Sequence, residues 1–194
     1  MTEPALILAS TSPYRAQLLG QLGLTFDTAP PGVDETRLAG EDPSAMVSRL
    51  ARAKAAAGAA AHPQAVVLGS DQCLDLAGRV LGKPGDFDTA FAQLRAAAGR
   101  TAVFRTTVCV LAPGGSEVGC KEVPFAVTFR DLSDPQIERY LAHDRPYDCA
   151  GSIRSESRAL ALMAATESND PSALRGLPLI ATSQLLETAG IAVL

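Results

Sequence analysis

The sequence predicts an α/β protein built on a mixed β-sheet. Short apolar runs, typical of buried strands, alternate with longer segments whose apolar residues recur at helical spacing. Two long β-favouring stretches joined by Pro113 and a pair of glycines predict an antiparallel hairpin. A chain of 194 residues can bury one substantial core or two small lobes.

A strand predicted over residues 5–9 leads directly into a helix. Ser12 suits the N-cap and Pro13 the first helical position, and leucines follow at helical spacing up to a stop at Gly23. Backbone N–H groups at such a helix start attract anions, and Arg15 would strengthen the site for phosphate. An ordinary capped helix with a surface arginine is the alternative.

The next two segments contribute acidic and basic candidates. A proline-punctuated loop over 30–35 ends in Asp34 and Glu35, and hard divalent cations prefer such carboxylate oxygens, although paired acids are more often solvated surface. An alanine-rich run over 43–61 predicts a long helix. Lys54 would flank its buried stripe, where a lysine either extends to solvent or faces a neighbouring site.

A short apolar strand over 66–68 delivers a carboxylate, Asp71, to its end. Ligands of open α/β sheets bind beyond the carboxyl ends of the strands, so we expect Asp71 at that rim. The alternative is that Asp71 caps a turn. A hairpin about Ala77 and Gly78 would bring Lys83 back towards this carboxylate.

The second half of the chain supplies the remaining elements. They are, in order, a helix capped by Asp86 or Asp88 and ending at Gly99, strands over 101–111 and 118–129, a helix opening at Ser133, a strand over 160–163, and a final helix over 179–190. A segment of small residues, 148–152, permits either close ligand approach or close packing.

Composition limits the function classes. The formal net charge of −4 argues against a surface for a nucleic-acid polymer, although a single nucleotide in a local basic pocket stays open. No apolar run approaches the roughly 20 residues of a membrane helix, and the first apolar run is too short for a signal peptide. We therefore expect a cytoplasmic protein with no membrane partner.

The cysteines and histidines do not suggest a metal centre. Cys73, Cys109, Cys120 and Cys149 show no Cys-x-x-Cys spacing, and the chain has 2 histidines, so a zinc site is not expected. We expect the cysteines to be buried, reduced thiols.

Six motifs follow one another at suitable separations. They are 8–13 (LASTSP), 33–35 (VDE), 69–72 (GSDQ), 82–84 (GKP), 148–152 (DCAGS) with Glu156, and 176–180 (GLPLI). In this order they resemble the Maf/YceF family of nucleoside triphosphate pyrophosphatases, and within it the YceF-type branch that acts on 7-methyl-GTP. The resemblance covers nearly the whole chain.

The resemblance implies a strongly twisted mixed sheet flanked by helices, in two lobes around a central nucleotide-binding cleft, as in Maf and ITPase-like folds. It implies one domain over residues 1–194, a homodimer, and a divalent cation (Mg²⁺, Mn²⁺ or Co²⁺). The roles it implies are Asp71 as catalytic acid and proton acceptor, Glu35 and Asp71 as metal ligands, Ser10, Ser12, Arg15, Lys54 and Lys83 as phosphate-binding groups, and Tyr14, Gln72 and Glu156 as base-specificity residues.

The chain departs from the family pattern beside its first motif. Ala16 stands where a second basic residue is usual, and Tyr14 replaces the tryptophan usual in the branch while keeping a flat ring. Two alternatives to a 7-methyl-GTP pyrophosphatase therefore stay open. One is a pyrophosphatase of the sister branch acting on dTTP and UTP, and the other is a nucleotide-binding regulator of septum formation with little activity.

Overall fold

The computed structural model describes residues 4–194 and confirms the predicted mixed α/β class. These residues form a seven-stranded sheet in the order β2-β1-β3-β5-β6-β7, with β4 also paired to β3. The strands are β1 (Leu6–Ala9), β2 (Asp27–Ala29), β3 (Val66–Leu76), β4 (Arg79–Leu81), β5 (Thr101–Leu111), β6 (Glu117–Phe129) and β7 (Met163–Glu167). The helices are α1 (Pro13–Gly20), α2 (Pro43–Ala61), α3 (Phe87–Ala97), α4 (Asp134–Asp144) and α5 (Leu179–Thr188), with 3₁₀ turns over Ala150–Ser152, Arg158–Leu162 and Pro171–Arg175.

The helix starts follow from local capping chemistry. The Ser12 hydroxyl accepts a bond from the Arg15 N–H, and Pro13 takes the first helical position, as predicted for α1. Asp42 caps α2 by accepting from the Ser44 N–H, and Asp86 caps α3 by accepting from the Thr89 N–H. These predicted helices are confirmed.

Strand β3 is longer than the sequence suggested. β5 pairs with β3 without a break from Val67 to Asp75, so the strand continues through Asp71 instead of ending before it. The expectation that Asp71 lies beyond the carboxyl end of its strand is therefore wrong. The length of β3 is determined by its pairing with the long strand β5, and the short apolar run in the sequence does not reveal that pairing.

Two further differences arise near the sheet edges. β2 was not predicted, because its three residues carry no apolar alternation and are held by parallel pairing to β1. The strand predicted over 160–163 is wrong. Ala159 and Leu162 are buried three residues apart, which suits the 3₁₀ turn, and β7 begins only at Met163.

Helices cover both faces of the sheet. On one face α2 packs on Ile7, Ala9 and Val67, and the larger core on the other face includes residues of α1, α3, α4 and α5. Glycines allow α2 to lie close: a Cβ on Gly69 would meet the Ala51 carbonyl oxygen at 2.5 Å. The single-domain assignment over 1–194 stays a prediction, and residues 1–3 of that span lie outside the described part.

The cysteine prediction is wrong for two of the four residues. Cys109 and Cys120 are directly opposite each other on β5 and β6, with their Cα atoms 4.1 Å apart, and they form a disulfide. The register of the β5–β6 hairpin places the two cysteines opposite each other. The spacing of the cysteines in the sequence does not reveal this pairing. Cys73 is a buried free thiol, as predicted, whereas Cys149 is a free thiol that is only partly buried. Burial raises the pKa values of the two thiols to about 12 and about 11.

None of the helices in residues 4–194 combines the length and the apolar composition that crossing a membrane requires.

Candidate active site

A stretch of β3 lacks a strand neighbour on one side. On that side β1 pairs with β3 as far as Gly69, and β4 pairs with it from Leu74 onwards. Residues 70–73 therefore have one open edge within the described chain, while β5 covers the other edge. The loops that leave β1 and β4 flank this opening, which forms the floor of a cleft of about 240 Å³.

All ten residues that the sequence singled out line this cleft. They are Ser10, Ser12, Tyr14, Arg15, Glu35, Lys54, Asp71, Gln72, Lys83 and Glu156. They come from the start of α1, the loop before α2, α2 itself, β3, the loop after β4 and the loop after α4. Their placement together is a property of the fold, whereas the role of each residue stays a prediction.

The centre of the cleft is an ion triad. Lys54 Nζ lies 2.7 Å from Asp71 Oδ1 and 2.6 Å from Glu35 Oε1. Lys54 and Asp71 are 4% and 5% exposed, whereas the Glu35 side chain is 56% exposed. The lysine thus faces the site and does not extend to solvent, because α2 lies directly over this part of β3.

The two carboxylates of the triad have opposite pKa shifts. Burial raises the pKa of Asp71 above its usual value, and the charges of Lys54 and Arg15 only partly offset that effect. Burial alone would raise the pKa of Glu35 as well. The hydrogen bond from Lys54 and the charges of Lys54, Lys83 and Arg15 outweigh burial, so the net pKa is lowered. Asp71 is therefore the more basic carboxylate, as a proton acceptor requires.

These carboxylates suit a divalent ion that also binds phosphate. The second oxygens, Glu35 Oε2 and Asp71 Oδ2, make no hydrogen bond within residues 4–194, so both are free to act as ligands. The described residues contain no cluster of three His, Cys, Asp or Glu side chains arranged for a metal. Mg²⁺ commonly uses one or two protein carboxylates and completes its shell with water and substrate phosphates, and this pair fits that mode.

The start of α1 forms a donor-rich turn beside the triad. Ser10 Oγ accepts from the Ser12 N–H at 3.1 Å, and Ser12 Oγ accepts from the Arg15 N–H at 3.4 Å. The hydroxyl hydrogens of Ser10 and Ser12 make no bond in the described structure and can donate to a ligand oxygen. Arg15 donates from Nε to the Gly176 carbonyl at 2.9 Å, which leaves its terminal nitrogens to face the cleft.

The family comparison supports the sequence resemblance. A family model described as Maf-like protein matches residues 5–189. The chain belongs to the Maf-like family.

Named relatives are similar over almost their full length. A 7-methyl-GTP pyrophosphatase of Thiobacillus denitrificans is 50% identical over 193 residues, which cover 100% of this chain and 96% of that protein. Another of Cupriavidus pinatubonensis is 49% identical over 187 residues, which cover 96% and 94%. A solved dITP/XTP pyrophosphatase of Mycobacterium abscessus has a TM-score of 0.42 at 17% identity, covering 66% of this chain and 74% of that one, a likeness too distant to decide fold or function.

Besides Lys54, Lys83 and Arg15, the Maf-like cleft contains an aromatic ring and further acidic side chains. Tyr14 and Glu156 line it, and the charge of Glu156 raises the pKa of Tyr14 after the larger effect of burial and those of Cys149 and Asp148. An aromatic ring beside carboxylates is suited to a nucleobase that carries donors on its edge.

The side-chain amide of Gln72 makes more hydrogen bonds within the protein than the sequence suggested. Its Nε2 lies 2.8 Å from the Ala173 carbonyl and 2.9 Å from Thr106 Oγ1, with the Leu174 carbonyl at 3.2 Å. Because an amide nitrogen has only two hydrogens, little donor capacity is left for a base. The amide oxygen of Gln72 is the group that remains for a ligand, and the nitrogen positions the 3₁₀ turn over Pro171–Arg175.

Sequence reasoning found Arg15 but missed two further arginines at this Maf-like site. Arg175 lies 2.9 Å from Glu156, and Arg154 lies 2.9 Å from Asp148. Arg175 and Asp148 line the cleft. Arg175 precedes the glycine of the last motif, which was the available signal, but its partner lies 19 residues away and only the fold pairs them.

Proposed function

We propose that this Maf-like protein hydrolyses 7-methyl-GTP to 7-methyl-GMP and diphosphate. The observation that carries the proposal is the buried Lys54–Asp71 pair on the open edge of β3, with a Tyr14–Glu156 base end in the same cleft. The names of the relatives support the substrate, since they are 7-methyl-GTP pyrophosphatases at about half identity over nearly the full chain.

At the phosphate end, Asp71 orients and deprotonates a water that attacks the α-phosphorus. The bond from the α-phosphorus to the bridging oxygen breaks, and its electron pair leaves with diphosphate. Lys54, Lys83 and Arg15 offset the charge that builds on the transferring phosphoryl group and the leaving diphosphate. The hydroxyls of Ser10 and Ser12 donate to phosphate oxygens and hold the chain of phosphates in line.

A divalent cation, Mg²⁺, Mn²⁺ or Co²⁺, fits Glu35 and Asp71 together with substrate phosphates. When bound it supplies positive charge against the phosphate oxygens. Glu35 and Asp71 each present one carboxylate oxygen that is free to bind the cation beside the triphosphate. Lys54 fixes the orientation of both carboxylates.

At the base end, the Tyr14 ring stacks on the base, and Glu156 accepts bonds from the N–H groups of a guanine edge. Methylation at N7 makes guanine cationic, so an aromatic face and a carboxylate favour the methylated base. Such an enzyme would remove modified nucleotides from the nucleotide pool. That role is consistent with a cytoplasmic protein, and family membership supports a homodimer.

A substrate screen tests the proposal. Diphosphate release is measured with 7-methyl-GTP, GTP, dTTP and UTP, each with Mg²⁺, Mn²⁺ and Co²⁺. We expect the highest kcat/KM for 7-methyl-GTP. A preference for dTTP or UTP would place the protein in the sister branch, and no release with any pair would favour a nucleotide-binding regulator.

The catalytic assignment is tested with Asp71→Asn, which should lower kcat by several orders of magnitude while the protein stays folded. Asp75→Asn is the matched control, because Asp75 is a buried carboxylate on the same strand and face, paired with Arg105 and outside the cleft. Near-normal kcat in Asp71→Asn would refute the role of Asp71.

A further inference from the structure

Two acidic side chains face the base end of the cleft, and each is paired with an arginine. Glu156 Oε1 lies 2.9 Å from Arg175 Nε, and Asp148 Oδ1 lies 2.9 Å from Arg154 Nη2. The negative charge that would attract a cationic base is therefore offset in both places. A site with this balance discriminates a cation from a neutral base less strongly than its carboxylates alone would.

The two arginines differ in what else they hold. Arg154 also donates to the Asp144 and Arg145 carbonyls and so maintains the loop after α4. Arg175 has one further bond, from Nη2 to Gln17 Oε1 at 3.0 Å on α1. Arg175 can thus be changed with less consequence for the backbone.

Side chains of β3 hold the backbone segment that carries Arg175. Gln72 donates to the Ala173 and Leu174 carbonyls, and Ser70 Oγ donates to the Gly176 carbonyl at 2.9 Å. These bonds anchor the residues on either side of Arg175 to β3. The side chains of Arg175 and Glu156 are 23% and 25% exposed, so their interaction is screened less than that of an open surface pair.

We propose that Arg175 is a specificity-determining residue that sets how strongly the site prefers a cationic base. It does so by offsetting the charge of Glu156. This inference rests on the proposed function. It extends that function from the residues that contact the base to Arg175, which offsets the negative charge of Glu156. Arg175 pairs with Glu156 and is a charge-compensating residue, because its positive charge lowers the net negative charge that a cationic base would meet.

The ratio of kcat/KM for 7-methyl-GTP to that for GTP isolates this effect. Both nucleotides present the same guanine edge and the same triphosphate, so lost hydrogen bonds to that edge weaken both. Displacement of the Glu156 charge would lower the ratio, whereas loss of the Arg175 charge should raise it. The two nucleotides differ in the N7 methyl group and in the positive charge that it gives the base. The ratio therefore responds to the electrostatic contribution, provided that the assay pH keeps the N1 proton on the methylated base.

The test is Arg175→Gln, which removes the charge and keeps a hydrogen-bonding side chain. We expect the 7-methyl-GTP to GTP ratio to rise about two- to tenfold, the range for one charge several ångströms away in a partly solvated site. Arg175→Lys should keep the ratio near that of the wild type. In the Glu156→Gln background, adding Arg175→Gln should raise the ratio as well, because the repulsion between Arg175 and a cationic base is present whether or not Glu156 is charged.

Arg95→Gln is the matched control, since it removes an arginine from an exposed ion pair with Asp134 away from the cleft. It should leave the ratio unchanged. If Arg175→Gln melts well below the wild type, Arg175→Met provides a second neutral variant.

An unchanged or lowered ratio in a folded neutral variant would overturn the inference, and so would the absence of any rise in the Glu156→Gln background, because Arg175 would then act only by positioning Glu156. These outcomes leave the proposed function standing if the wild type hydrolyses 7-methyl-GTP. Failure of the wild type to hydrolyse it is a separate result that removes the proposed function itself.

Discussion

Lys54→Met is the most informative perturbation of the site. The substitution removes the ammonium that lies 2.7 Å from Asp71 and keeps an unbranched side chain on α2. The Asp71 carboxylate is 5% exposed, so it would lose its closest compensating charge in a poorly solvated position. Glu35, whose side chain is 56% exposed, can turn to water, and its loss of Lys54 should matter little for stability.

The magnitude follows from the burial of Asp71. Removing one partner of a buried ion pair typically costs 3 to 5 kcal/mol, so a loss of about 3 kcal/mol is expected once Arg15 and protonation of Asp71 moderate it. The pKa of Asp71, already raised by burial and lowered in part by Lys54, should rise further. Each unit of that rise corresponds to about 1.4 kcal/mol.

The sign of the pH dependence follows from the raised pKa. The folded state favours protonated Asp71, so the penalty is absent below the unfolded-state pKa, grows as pH rises above that value, and is complete above the raised folded-state pKa. Lys54→Met should therefore lose more stability near about pH 8 than near about pH 5. The acid limb of its kcat/KM profile should move to higher pH, with a lower plateau.

Chemical denaturation at both pH values and a pH–rate profile measure these effects. Arg49→Met is a suitable control, because Arg49 lies on the same helix and pairs with Glu41 outside the cleft. An acid limb that stays in place would show that Lys54 does not act on the ionisation of Asp71. Equal destabilisation at both pH values would refute the argument that the buried charge dominates.

The remaining predictions concern the packing beneath the site and the segment above it. Gly69→Ala should destabilise the fold by about 3 kcal/mol or more, because the added Cβ would lie 2.5 Å from the Ala51 carbonyl oxygen; a melting temperature near that of the wild type would contradict this close packing. Gln72→Leu removes the bonds to the Ala173 and Leu174 carbonyls and should cost about 1 to 3 kcal/mol while raising KM for both 7-methyl-GTP and GTP. Unchanged KM values in a folded Gln72→Leu protein would show that the segment holds its position without Gln72.

The sequence predicted what depends on local chemistry. Ser12, Asp42 and Asp86 cap helices because each has a side-chain oxygen that reaches an N–H two or three residues ahead. The ten candidate residues followed from the family resemblance that six short motifs carry, and the cleft contains all ten. The caps and each motif are formed by residues that lie close together in the sequence.

What the sequence could not provide depends on pairing between distant segments. The extension of β3 past Asp71 is set by β5, and the disulfide is set by the register that places Cys109 opposite Cys120. The Glu156–Arg175 pair likewise joins a loop to a 3₁₀ turn through the tertiary fold. No local pattern distinguishes these contacts from the many other pairings that the same residues permit.

The open edge of β3 explains why two consecutive residues, Asp71 and Gln72, both line the same cleft. Successive side chains of a strand point to opposite faces of the sheet, so Asp71 and Gln72 would not normally share a site. Asp71 points to the α2 face and meets Lys54, whereas Gln72 points to the other face and holds Ala173. Because no strand covers residues 70–73 on one side within the described chain, the cleft reaches both faces around that edge.

This arrangement divides the site by face of the sheet. Substitutions on the α2 face, at Lys54 or Asp71, should act mainly on kcat and its pH dependence. Substitutions on the opposite face, at Gln72 or in the turn that carries Arg175, should act mainly on KM and on the ratio between bases. The separation follows from the two-residue period of a strand, and it allows base preference to change without disturbing the Lys54–Asp71 pair.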